Sequence, residues 1–169
     1  AALRPLAFAN QSLIYNILFQ AASQTLRDAA LNPQNLGARI GAIAILHTWG
    51  QNLAYHPHLH CVVPGGGLHP DNPAWVASRP NFFISVRVLS RLFRGKFLDF
   101  LRRAFESGKL GFPGNLSPLT SAGAFEDFSR SLRRQDWVVY AKPPFSGPEQ
   151  VVSYLGRYTH RIAISNHRI

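Results

Sequence analysis

The chain has 169 residues, 46% hydrophobic and 15% charged, which suits one folded domain with a sizeable core and excludes a disordered chain. No apolar run reaches the ~18 residues of a membrane span, and the start "AALRPLAFANQSLIYN" lacks the basic lead, apolar centre and cleavage site of a secretion signal. The formal charge of +10 falls almost wholly on residues 79–169, which hold fifteen basic and six acidic side chains, and such an excess points to a polyanion partner, nucleic acid first.

In chain order, Leu13, Ile14, Ile17, Leu18, Ala21, Ala22 and Leu26 fall at three- and four-residue spacings and predict a helix over about 8–31. "NPQNLG" ends it, because a residue before proline avoids the α region. "ARIGAIAILHTW" reads as a strand apolar on both faces, hence central. "HLHCVV" follows after a short link and is expected antiparallel to it, with "PGGG" as the turn that ends it. "PNFFISV" reads as another strand. The spacing of Val88, Leu89, Leu92, Phe93, Phe97, Leu98, Leu101 and Phe105 predicts a long helix. A loop, "GFPGNLSPLTSAG", leads to a helix near 123–134, and "DWVVYAK" reads as a strand. Pro148 suits a first helical position for "PEQVVSYLGRYTHR", and "IAISNHRI" begins a last strand. The expected class is α+β, an antiparallel sheet with helices packed on it. The absence of methionine and the abrupt stop at "ISNHRI" suggest a fragment with segments missing at both ends. The single cysteine, Cys61, rules out an intrachain disulfide framework and fits a reducing cytoplasm.

Two constellations could carry chemistry. In "YHPHLHCVV", side chains two apart share a face, so His58 and His60 project together, and neutral imidazoles side by side can ligate one cation. His56 has the same parity but sits beyond Pro57. A bare His-x-His is more often a polar strand end, so a metal site needs a further ligand. His47 and Gln51 share a parity on the preceding strand, and either could face the pair. Cys61 alternates with His60 and is read as a small core residue. The second constellation is Tyr154 and Tyr158, four apart on a helix and so on one face, beside Arg157, His160 and Arg161. A phenol with a pKa near ~10 needs neighbouring cations and a polarised target before it reacts. Arg87, Arg91 and Arg94 form a stripe suited to backbone phosphates, and Trp49 or Trp75 could stack on unpaired bases.

Taken together, "LHTWGQNLAYHPHLHCVVPGGGL" and "DWVVYAKPPFSGPEQVVSYLGRYTHRIAISNHRI" resemble the two-tyrosine HUH transposases of the insertion-sequence-ninety-one type. The likeness extends to "LFQAASQTLRDAA" and "SVRVLSRLFRGKF", and so covers nearly the whole chain. It implies a single HUH-type catalytic domain over 1–169, DNA-associated in a prokaryotic cytoplasm. It implies rolling-circle-type transposition: a divalent metal, Mg2+ or Mn2+, held by His58 and His60 against the scissile phosphate of single-stranded DNA at transposon ends and target. One of Tyr154 and Tyr158 then attacks phosphorus to leave a 5′-phosphotyrosine and a free 3′-hydroxyl. Relatives carry a cysteine-rich segment ahead of this region, which these residues lack. Other readings are a replication initiator or relaxase of the same superfamily, and a non-catalytic nucleic-acid-binding module with a structural metal.

Overall fold

A computed structural model describes residues 2–50, 54–80 and 83–159, the side chains of Tyr158 and Thr159 excepted. The helix expected over about 8–31 is α2 (Gln11–Leu31), and a further short helix, α1 (Leu3–Ala9), precedes it. The break is at Asn10, whose side-chain amide donates to the carbonyls of Leu6 and Gly111 and whose Oδ1 accepts from Gly111 N at 2.7 Å. A short amide that bonds backbone in this way competes with helix continuation. Its partner lies 101 residues along the chain, so the periodicity of the first 31 residues contains no trace of it.

After α2 come β1 (Ile43–Trp49), β2 (Tyr55–Val62), β3 (Gly66–Leu68) and β4 (Trp75–Ala77). Then come α3 (Val86–Glu106), a 3-10 helix (Gly114–Thr120), α4 (Ala122–Arg134) and α5 (Pro148–Thr159). The core lies where α2 and α3 pack: Ile14, Ile17, Leu18 and Ala21 meet Phe97, Leu98, Leu101 and Ala104, with Phe125 and Leu132 of α4 added. Phe105 stacks on Phe125 with centroids 4.0 Å apart. Gly108, at φ +67°, ends α3 in the left-handed conformation that glycine adopts without a Cβ penalty. Ser121 caps α4, its hydroxyl accepting from Ala124 N.

β1 and β2 form an antiparallel hairpin that rests on α2. The pleat gives it two faces. Leu46 and Leu59, paired across it, pack onto the core, while His47 lies opposite His58 and His60 opposite Ile45 on the other face. Tyr55 shares the parity of Leu59 and faces the core: its hydroxyl donates to Ala7 O and meets the Tyr15 hydroxyl at 3.1 Å, while the register shifts between His47 and Trp49. The class is α+β. Among the described residues no helix is long and apolar enough to cross a membrane.

Four sequence expectations need correction. The strand read from residue 38 starts at Ile43, and β1 pairs along one edge with β2; among the described residues no second strand makes it central. The stretch "PGGG" is not simply a turn: Gly66 and Gly67 belong to β3, paired with β4 and bridged to Arg39. The reason is close approach, since a Cβ on Gly67 would lie 2.5 Å from Arg39 O and one on Gly66 2.5 Å from Val76 O. No strand forms among residues 83–85; Ile84 is buried beside Leu89 and Ala30, and the chain turns directly into α3, while Asn81 and Phe82 lie outside the described residues. Residues 136–140 alternate in exposure as a strand would, 141 and 142 are both exposed, and no partner strand is described for them. Trp137 anchors them instead, packing on Phe93 and Phe97 and donating from Nε1 to Leu132 O at 3.0 Å. The strand expected after residue 161 lies outside the described residues.

Candidate functional site

Strand period 2 and antiparallel pairing bring His47, His58 and His60 onto one face of the hairpin. Their ligand-capable atoms all lie within 4.8 Å of one another. His58 Nδ1 is 2.7 Å from the His56 carbonyl, which can only accept, so this nitrogen carries a hydrogen and neutral His58 presents a bare Nε2. That Nε2 is 3.0 Å from His60 Nε2. Between two neutral rings the His60 nitrogen then donates, and His60 Nδ1 is left to accept.

What faces His60 Nδ1 is the hydroxyl of Tyr154, at 3.0 Å. The two residues are 94 positions apart. α5 lies against β1, and among its described side chains Tyr154 is the one buried, at 8% exposure. The ring packs on Phe145 with centroids 5.2 Å apart. Lys142 Nζ and Arg157 Cζ stand over the same ring, 5.8 and 5.9 Å from its centroid.

Burial pushes the His60 imidazole down to about 4, helped by the charges of His58, His47 and Lys142. Burial, and then His58, lowers His47 as well. Both rings are therefore neutral at pH 7, the form that ligates a cation. The donor spacing also fits one. At a metal–nitrogen distance of ~2.1 Å, nitrogens 3.0 Å apart subtend an angle of about 90° at the ion.

The other sequence candidates are placed as follows. Gln51 and Arg161 lie outside the described residues, as does the side chain of Tyr158, whose backbone continues α5. Arg87 and Arg91 are exposed on α3, and Arg94, half-buried, donates to Gln135 O at 3.1 Å. His56 is exposed and contributes its carbonyl rather than its ring. Trp49 packs against His47, ring centroids 4.4 Å apart, while Trp75 is exposed on β4. Cys61 is half-buried on the face opposite the histidines, and burial raises its thiol pKa. Burial raises the Tyr55 phenol as well.

Lys142 and Phe145 are not among the sequence candidates, because "DWVVYAK" reads as a strand and "PPFSGP" only as a stop. One signal was available: Lys142 is the single cation between Arg134 and Arg157, and two prolines follow it.

Comparison with known proteins places this geometry in a family. The family described as "Putative transposase" matches residues 41–169. "Putative transposase y4qJ" of Sinorhizobium fredii (strain NBRC 101917 / NGR234) is 56% identical over 168 residues, covering 99% of this chain and 42% of that protein. "Transposase for insertion sequence element IS801" of Pseudomonas savastanoi pv. phaseolicola is 29% identical over 165 residues, covering 98% of this chain and 38% of that protein. The chain thus spans about two fifths of the length of these curated relatives. No solved structure matches. With the family match running through both the histidine hairpin and the tyrosine helix, the chain belongs to the transposase family of the insertion-sequence-ninety-one type.

Proposed function

We propose that residues 1–169 act as one catalytic domain that cuts and transfers single-stranded DNA at transposon ends and target through a 5′-phosphotyrosine intermediate. The observation that carries this reading is the Tyr154 hydroxyl 3.0 Å from His60 Nδ1, with the opposite nitrogen of the same ring 3.0 Å from His58 Nε2. One imidazole thus joins the nucleophile to the ligand set. His58 and His60 would hold a divalent cation, with His47 as third ligand on the geometry and Gln51 as the alternative from sequence spacing. When bound, Mg2+ or Mn2+ supplies charge withdrawal at a phosphate oxygen.

The chain's own residues supply the rest. Offering both Nε2 lone pairs to a ligand would require the other His60 tautomer, with the proton moved from Nε2 to Nδ1, where it would donate to the Tyr154 oxygen and stabilise negative charge there. The Tyr154 O–P bond forms as the P–O3′ bond breaks, and the proton lost by the phenol is balanced by the one the 3′-hydroxyl gains. Tyr158, one turn on, would serve a second strand. Arg157 and Arg161 would contact phosphates near the cut, and Arg87, Arg91 and Arg94 would do so farther along the strand.

The test is to mix the protein with a single-stranded oligonucleotide and Mn2+ and look for an adduct that survives denaturation. The reading expects an adduct, its loss in Tyr154→Phe or Tyr158→Phe, and its loss in His58→Ala. A gel shift with no covalent product at any stage would instead support a binding module with a structural metal.

A further inference from the structure

We propose that Lys142 is a catalytic residue of this site, its ammonium holding a non-bridging oxygen of the scissile phosphodiester while the Tyr154 oxygen attacks. The inference rests on the nuclease reading above and goes beyond it by naming a phosphate ligand that neither motif contains.

Lys142 is exposed, so DNA can reach it, and its Nζ stands 5.8 Å from the centroid of the Tyr154 ring. Tyr154 is buried and points its hydroxyl at His60, so a phosphorus in reach of that oxygen lies close to the ring that Lys142 stands over. Among the described residues Lys142 belongs to no ion pair, unlike Lys96, Arg102, Arg103 and Arg130. Pro143 and Pro144 fix the backbone that follows, and Phe145 packs on the Tyr154 ring. Phe145, three residues on, thus ties the segment that carries the lysine to the nucleophile's ring. A phosphodiester gains negative charge on its non-bridging oxygens as the fifth bond forms, and a cation already in place there needs no reorganisation.

The experiment uses the oligonucleotide adduct assay with Mn2+, at saturating DNA, on wild type, Lys142→Gln and Lys142→Arg. Losing one preorganised charge at the transition state slows adduct formation ~100-fold in Lys142→Gln. Lys142→Arg stays within about tenfold of wild type, because the charge is kept, and the Kd for the oligonucleotide shifts less than about threefold in both, since many phosphates share binding. Once the cut linkage is mapped, a methylphosphonate placed there removes the charged oxygen, and the Lys142→Gln deficit shrinks to under about threefold. Adduct formation by Lys142→Gln at the wild-type rate, an arginine variant as slow as the glutamine one, or a deficit undiminished on the methylphosphonate would each overturn the assignment. A wild-type protein that forms no adduct would sink the nuclease reading itself, whereas a wild-type adduct with an unimpaired Lys142→Gln counts against Lys142 alone.

Discussion

Adding Mn2+ to metal-stripped protein should raise its melting temperature, and Mg2+ should do so far less. The three candidate ligands are all imidazoles, His47, His58 and His60, with no carboxylate in the group. Neutral nitrogen donors suit first-row transition ions, whereas Mg2+ prefers oxygen and keeps its waters. The two Nε2 atoms, 3.0 Å apart, already have the ~90° bite a cation needs, so binding moves the His60 proton to Nδ1 and sacrifices the mutual hydrogen bond, a cost of about 1 kcal/mol. Free Mn2+ at a hundred times its Kd stabilises the folded state by ~2.7 kcal/mol. For a chain of this length each kcal/mol is worth ~2–4 °C, so the expected shift is about 5–10 °C. Differential scanning fluorimetry after EDTA treatment and dialysis measures it, with His58→Ala and His60→Ala as controls. A shift that persists in both variants, or one equal for Mg2+ and Mn2+, would refute the argument that these imidazoles form the site.

Three further outcomes follow from the fold. Phe97 is fully buried between Phe93 and Trp137, so Phe97→Ala should cost ~3–5 kcal/mol in urea unfolding; a loss under ~1 kcal/mol would mean the α2–α3 core is misplaced. Gly67→Ala should destabilise by ~2 kcal/mol or more because its Cβ would sit 2.5 Å from Arg39 O, whereas Gly95→Ala, with open space around it in mid-α3, should stabilise by ~0.5–1 kcal/mol; equal effects by the same unfolding assay would contradict the β3–β4 ribbon. In EDTA, stability should fall as pH drops from about 6.5 toward about 4, because unfolded His60 takes a proton that the folded ring, lowered to about 4, refuses. This contribution is complete above the unfolded pKa and lost through that window, so urea midpoints at pH 7 and pH 5 should differ less in His60→Gln than in wild type.

The histidine face was legible because it depends on local rules. A pleat of period 2 joins His58 to His60, and a short hairpin puts His47 across from them. Other features depended on partners far along the chain. Asn10 reads as one more helical residue until Gly111 arrives to bond it. Gly66 and Gly67 read as a turn because glycine usually makes one; here they clear space for the Arg39 backbone and the Trp75 ring. The first five residues of "DWVVYAK" alternate in exposure, yet alternation says which face is buried and not whether a neighbour exists to pair with. That one misreading hid Lys142. Nothing in the spacing of His60 and Tyr154 announces a 3.0 Å contact; sequence could link them only by resemblance to a family.

Tyr154 carries two duties, and this decides how it must be tested. Among the described side chains of α5 it is the one buried, wedged on Phe145 and against His60, so its ring sets where the helix lies on the hairpin. Its oxygen, on the proposed reading, is also the nucleophile. Tyr154→Ala would remove both at once, and a lost adduct could then report a displaced helix as readily as missing chemistry. Tyr154→Phe keeps the ring, the Phe145 contact and the platform under Lys142 and Arg157, and deletes one hydroxyl and its hydrogen bond to His60, worth about 1 kcal/mol. A phenylalanine variant that melts within a few degrees of wild type and still shifts with Mn2+, yet forms no adduct, would separate the attacking atom from the scaffold that holds it.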